Sequence, residues 1–231
     1  MSILDSIIAG VREDLAARRV PLSKLHELME AAPAPIAPVF PLNSMSVIAE
    51  VKRKSPSKGE LADIPEPAKL AAQYQQAGAA AVSVLTEQRR FNGSLADFDA
   101  VRSKITLPML RKDFMVDEYQ FYEARAHGAD IVLLIVAGLS KSQLADYFAL
   151  ATELGMKSLI EVHTHDELEA AMEINPEILG VNSRNLKTLE VDPSAFKELI
   201  PRIPAGLIKV AESGISSRSD VIFAEEAGAN V

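Results

Sequence analysis

Ala77-Gly78-Ala79-Ala80-Ala81-Val82, His127-Gly128-Ala129-Asp130-Ile131-Val132 and Ala227-Gly228-Ala229-Asn230-Val231 are three versions of one phrase. In each, a helical pattern stops at a glycine and an apolar run follows or begins. Glycine tolerates the left-handed backbone that ends a helix, and the apolar run suits a buried strand. The phrase is a joint between helix and strand, and its recurrence implies a repeating architecture. The third version opens a strand that the sequence follows for one apolar residue.

From Met45 onward the apolar runs are SVIAEV, AAVSVL, PML, DIVLLIV, SLIEV, ILGV and LIKVA. Each is too continuous for a half-exposed antiparallel strand, and strands of a parallel sheet covered on both faces read this way. Helical segments lie between them. Ser140-x-x-Gln143 and Thr164-x-x-Glu167 read as capping boxes. Pro67 and Pro193 suit first helical turns, and Gly78, Gly128, Gly155 and Gly228 suit helix ends. Seven strands and the opening of an eighth predict an α/β fold, the (β/α)8 barrel, a closed parallel sheet of about 250 residues. A doubly wound open sheet would carry a glycine-rich turn after its first strand, where this chain has Lys52-Arg53-Lys54-Ser55-Pro56-Ser57. Residues 1–44 read as a helical extension and 45–231 as the barrel. In the extension, Leu4, Ile7, Ile8, Val11 and Leu15 recur at helical spacing after Ser2-x-x-Asp5, a second helix runs from Ser23 to about Glu30, and a proline-rich linker follows. The barrel is expected to lack most of its eighth strand and to leave strands one and seven with unpaired edges.

Composition narrows the class. The chain has 231 residues, 48% hydrophobic and 24% charged, a net charge of −8 and no cysteine. Disulfides and thiolate metal sites are excluded, and no run reaches the roughly 18 apolar residues of a membrane span. The N-terminus lacks the basic region of a secretory signal, which points to the cytoplasm. Basic residues do not form the broad face of a nucleic-acid binder.

Barrel chemistry sits at the C-terminal ends of strands. Reading those ends gives Glu50 and Lys52, Lys112 and Asp113, Glu161, Asn182, and Glu212 with Ser213. A buried strand seldom ends in an ionisable group, because an unpaired buried charge is costly. A ring of them at one end is the signature of a site. Glu50 and Lys52 are two apart and share a side of the strand. Two lysines facing one cavity are expected to lower at least one lysine pKa, against the pull of the carboxylates. Such a lysine could act as general acid and the glutamates as proton acceptors. A cationic pocket calls for an anionic ligand, and Ser213-Gly214 before a helix starting near Ser216 is a candidate anion site. His163 and His165 read as exposed polar residues, and Asn92-Gly93-Ser94 as a turn.

The motifs IAEVKRKSPSKG, LTEQRRFNGS, LRKDFMVDEYQ, GADIVLLIVAGL, LIEVHTHDEL, GVNSRNLKTLEVD and KVAESGI closely resemble those of indole-3-glycerol phosphate synthases, over essentially the whole chain. The resemblance implies a (β/α)8 lyase of tryptophan biosynthesis. Its expected reaction converts 1-(o-carboxyphenylamino)-1-deoxyribulose 5-phosphate into indole-3-glycerol phosphate, releasing carbon dioxide and water, without cofactor or metal. It implies Lys112 as general acid, Lys52 as partner of the anthranilate carboxylate, and Glu161 as acid/base in dehydration. Glu50, Asn182 and Glu212 would hold hydroxyls and ammonium groups, and Arg184 and Ser213 would join the substrate contacts. Phe91, Phe114 and Leu133 would form the apolar wall, and Lys54, Ser55 and Gly214 would bind phosphate. A monomer is expected, with other pathway enzymes as possible partners. Two alternatives are a barrel that only binds ligand or partner, and a phosphoribosylanthranilate isomerase-like barrel, whose cysteine base this chain cannot supply.

Overall fold

The structure, a computed structural model, describes residues 2–186 and 188–231. Two helices come first, α1 (Ile3–Arg18) and α2 (Leu22–Ala31). Strand β1 (Ile48–Val51) is followed by a small antiparallel hairpin of β2 (Lys54–Ser55) and β3 (Gly59–Glu60), which is not among the strands that the apolar runs predict. Strand and helix then alternate: α3 (Pro67–Gln76), β4 (Ala81–Leu85), α4 (Leu95–Arg102), β5 (Met109–Lys112), α5 (Tyr119–Ala126), β6 (Ile131–Ile135) and α6 (Lys141–Glu153). The series ends with β7 (Lys157–Val162), α7 (His165–Met172), β8 (Ile178–Asn182), α8 (Ser194–Leu199), β9 (Ile208–Glu212) and α9 (Arg218–Glu226).

All seven expected strands form one parallel sheet, in the order β1-β4-β5-β6-β7-β8-β9. The sheet curls into the barrel that the strand-helix alternation predicted. Side chains alternate across it, as the pleat requires. Leu110, Ile131, Leu133, Leu159, Ile178 and Val210 fill the interior. Val82, Val84, Val132, Leu134, Ile160, Leu179 and Val181 face outward and pack with Phe98, Phe121, Leu144 and Phe196 of the helices. Helix α1 lays Leu4, Ile7 and Val11 into the inner cluster beside Phe114 and Val116.

The seam between β9 and β1 is bridged at its base. Asn230 and Val231 donate their N–H groups to the Lys209 carbonyl, and the Val231 carbonyl accepts from Ala211. On the other side the Asn230 carbonyl accepts from Ser46 N–H at 2.8 Å. The expectation of bare edges on strands one and seven is corrected at this level, because the third Gly-Ala phrase pairs with both flanks. Val231 is buried among the interior residues.

The helix signals hold with two corrections. Ser2 and Ser140 form complete capping boxes, and Pro67 opens α3. Thr164 accepts from Glu167 N–H, but the Glu167 carboxylate takes the N–H of His163 instead of the N-cap's own. Pro193 is the N-cap of α8, one place before the first turn.

Asp130 is the main polar tie at the base of the barrel. Only 2% exposed, it accepts from the N–H groups of Ile36 and Met109 at 2.6 and 2.7 Å, and from Arg102 Nη1 at 2.8 Å. It thereby holds the proline-rich linker to β5. Replacing Asp130 by alanine removes the partner of two backbone donors and of Arg102 Nη1, leaving that guanidinium only its carbonyl contacts. The loss should be about 3–5 kcal/mol, a fall in Tm of roughly 10 °C in a thermal melt. Asp99→Ala, which removes an exposed partner of His127, should change stability by under about 1 kcal/mol.

Candidate active site

Lys112 ends β5 on an inward-facing position, and its ammonium is held by two carboxylates from other strands. Nζ donates to Glu212 Oε2 of β9 at 2.5 Å and to Glu161 Oε2 of β7 at 3.1 Å. The side chains of Lys112, Glu161 and Glu212 are 18%, 4% and 10% exposed. Across the mouth, Glu50 of β1 and Lys52, one residue past its end, form a second ion pair on the shared side that their spacing predicts.

These charges line a cavity of about 420 Å³ at the C-terminal ends of the strands. Glu50, Lys52, Lys112, Glu161, Asn182 and Glu212 all face it, as do Arg184, Ser213, Phe91, Phe114, Leu133, Ser55 and Gly214. Lys54 is the exception: it is not among the lining residues, and its ammonium lies 4.0 Å from Glu60 across the β2–β3 hairpin. One wall is apolar, where the Phe91 and Phe114 rings sit 6.0 Å apart between centroids. Phe91 is presented by a loop wound around the buried Glu87 carboxylate, which accepts from the N–H groups of Arg89, Arg90 and Phe91.

The expectation of a depressed lysine is overturned at Lys112. Burial pulls its pKa down, but the charges of Glu212, Glu161 and Glu50 outweigh that and hold the ammonium well above the ordinary lysine range. The group that does shift towards neutrality is Glu212. Burial raises its carboxyl, Lys112 opposes this and Glu161 adds to it, and the result is about 7.

The anion candidate at the end of β9 also changes. Ser213 and Gly214 make two consecutive left-handed steps, at φ 66° and 73°. Helix α9 begins at Arg218, with Ser217 as its N-cap. The Asp220 carboxylate accepts from the N–H groups of both Ser216 and Ser217 at 2.8 Å. Those two donors are therefore satisfied by the protein itself, and what faces the cavity is the Ser213–Ser216 loop together with Ser55, Ser57 and Lys58 of the hairpin.

Several lining residues escaped the sequence reading. Ser83 lies inward on β4 opposite Glu50, a position the alternation in AAVSVL would have revealed. Ile7 comes from α1, and Leu186 and Leu189 from the loop after β8. That loop is drawn together by Arg184, whose Nη1 donates to the Leu189 carbonyl at 3.0 Å. His163 is half-buried, and its Nδ1 meets the Asn182 carbonyl at 2.7 Å. It is a support for β8 where an exposed polar residue was expected. Arg53, in the basic cluster after β1, is tied to Asp97 and to the Ile64 carbonyl. Among the described residues no group of three or more histidine and acidic side chains is arranged for a metal, and no helix is long and apolar enough to cross a membrane.

Comparison with known proteins bears on this geometry. The indole-3-glycerol phosphate synthase of Paenarthrobacter aurescens (strain TC1) is 55% identical over 239 residues, spanning all of this chain and 88% of that protein. That of Saccharopolyspora erythraea is 54% identical over 234 residues, spanning all of this chain and 87% of its own length. A solved structure of the N-acetylmannosamine-6-phosphate 2-epimerase from Clostridium perfringens aligns with a TM-score of 0.61 at 13% identity, covering 86% of this chain and 90% of the other. That likeness concerns the fold alone. The family model described as indole-3-glycerol phosphate synthase matches residues 4–231, so with these relatives the chain belongs to the indole-3-glycerol phosphate synthase family.

Proposed function

We propose that the chain is a carboxy-lyase that closes the indole ring of indole-3-glycerol phosphate from 1-(o-carboxyphenylamino)-1-deoxyribulose 5-phosphate. The observation that carries this reading is the Lys112 ammonium, set in the cavity between Glu161 and Glu212. Ring closure turns a neutral ketone into an alkoxide, and a positioned cation beside that oxygen is the expected aid. Lys112 supplies the proton as the aromatic carbon attacks and the new carbon–carbon bond forms. The carboxylate sits on the ring carbon that has attacked, and its loss as carbon dioxide breaks the carbon–carboxylate bond and returns that bonding pair to the ring. Glu161 next serves as acid/base while the new hydroxyl leaves as water and the ring becomes aromatic.

The remaining residues bind and orient. Lys52 pairs with the anthranilate carboxylate, and Glu50 keeps that lysine on the cavity side. Asn182, Arg184 and Ser213 contact the sugar, while Phe91, Phe114 and Leu133 enclose the aromatic ring. Ser55 and the Gly214 backbone hold the phosphate, with Lys58 adding charge in the part assigned to Lys54 by resemblance. Because phosphate and carboxylate together make the substrate multiply anionic, it is retained by membranes, and the enzyme would work in the cytoplasm.

Lys112→Met should keep the fold and lower kcat by about 10³-fold or more, within the range general acid and electrostatic catalysis supply. Full turnover by that variant, measured by indole fluorescence, overturns the assignment. The pH dependence follows from the two shifts. As pH falls through about 7, Glu212 gains a proton and loosens its hold on Lys112, so kcat/KM should decline on the acid side. Lys112 stays protonated through the alkaline range and adds no limb there. Glu212→Gln should abolish the acid limb, so an unchanged profile in that variant counts against this role.

A further inference from the structure

Gly180 is the third residue of β8, at an inward-facing position opposite Glu161 of β7 and Val210 of β9. A side chain there would enter the barrel just beneath the charged layer. A Cβ built on Gly180 would lie 2.0 Å from Glu212 Oε1, 3.1 Å from Glu212 Cδ and 3.1 Å from Leu159 Cδ1. The first distance is well inside contact, and the clash falls on one carboxylate oxygen. That same oxygen is buried and receives no N–H or hydroxyl donor of the protein, while the Glu161 carboxyl also lies against Glu212. The other oxygen of the carboxylate, Oε2, is the one Lys112 holds at 2.5 Å.

We infer that Gly180 is a positioning residue for Glu212: the missing side chain leaves the slot that one carboxylate oxygen enters while the other oxygen reaches across to Lys112. Gly180 has no left-handed backbone to explain it, since it is not among the glycines of positive φ. It lies inside a paired strand, where glycine is otherwise a loss in packing and entropy. Its register is unbroken on both sides, so it marks no bulge, and the close approach of Glu212 supplies a reason for it. The carboxylate in the slot is faced by Lys112 from β5 and Glu161 from β7, with the Glu50–Lys52 pair of β1 and its following loop across the mouth. Leu159 limits any yielding on the β7 side. An alanine at 180 must therefore rotate Glu212 upward, out of the slot and away from Lys112, into the open cavity.

The inference rests on the proposed activity only where turnover is read, so the test has two arms. The first needs no substrate. Carbon-13 NMR of carboxyl-labelled glutamate, assigned by comparison with Glu212→Gln, should show the Glu212 carboxyl titrating near 7 in the parent. In Gly180→Ala it should move down towards the ordinary glutamate range near 4.3, because the carboxylate becomes solvated. An unmoved titration overturns the inference, whatever the enzyme's activity. The second arm is a double-mutant cycle. Gly180→Ala should lower kcat on the order of 10- to 100-fold, with KM changed much less. In the Glu212→Ala background, where no carboxylate remains to displace, the same change should cost under about 2-fold. Equal losses in both backgrounds mean that Gly180 acts through general packing and refute a role through Glu212. If Gly180→Ala proves too unstable to assay, Gly180→Ser with Glu212→Ala supplies the folding control. A paired variant that melts like Glu212→Ala alone supports the slot, and one that unfolds opposes it.

Discussion

The ion pair between Lys112 and Glu212 spans the sheet. In strand order, β5 and β9 are separated by β6, β7 and β8, yet Nζ and Oε2 are 2.5 Å apart. On a flat sheet with strands about 4.8 Å apart the two side chains would never meet. Their contact exists only because the sheet curls until its inward faces look at one another. The curl in turn depends on apolar side chains that fill the interior below, from Leu110 to Val210. A cation held this far from water is costly unless it is closely paired. Two carboxylates on separate strands supply that pairing, so the curl brings the charges together and their contact lowers the cost of holding them there.

The pleat gives the same strand a second electrostatic task. Lys112 points inward, and its neighbour Arg111 points outward and is 0% exposed. Arg111 donates to Asp113, Glu123, Thr86 and the Gln120 carbonyl. Glu123 is held below the usual carboxylate range: burial raises it, but Arg111 and Arg18 outweigh that. Arg18 belongs to α1, and it grips Glu123 through two hydrogen bonds of 2.9 and 3.0 Å. The end of β5 is therefore fixed from behind through a chain of charges running into the N-terminal helix. The same helix brings Ile7 to the cavity, and its Asp14 and Glu13 bind Arg89 in the loop that presents Phe91. One helix thus braces the end of β5 and contributes to the cavity wall.

Much of this was legible because both signals are local. Apolar runs mark all seven strands, and the period of two alone puts Glu50 and Lys52 on one side. The ring of charges at strand ends was readable for the same reason. What escaped depends on distances between segments far apart in the chain. The Lys112 pKa could not be signed without knowing that Glu212, a hundred residues later, lies against its ammonium. Asp220 occupying the amides before α9 is a competition between a side chain and an imagined ligand, and SGISSRSD reads equally well for both. The β2–β3 hairpin was missed because two-residue strands carry no periodicity.

The Gly-Ala phrase owes its recurrence to one hydrogen-bonding pattern. Its fourth residue donates its N–H to the base of the preceding barrel strand each time: Ala80 to Val47, Asp130 to Met109 and Asn230 to Lys209. In the second and third versions the side chain completes the contact. Asp130 accepts from Met109 N–H, and Asn230 Oδ1 accepts from Lys209 N–H at 2.7 Å. Each also grips the segment between α2 and β1, and here the two residue types part. Asp130 meets an N–H, that of Ile36, which a carboxylate satisfies. Asn230 meets a carbonyl, that of Leu42, through Nδ2 at 3.3 Å, which only a donor can satisfy. Acid and amide at equivalent joints thus follow from which backbone group the linker presents as it passes beneath the barrel. The repeat is a repeat of geometry, and its variation records the path of the N-terminal linker.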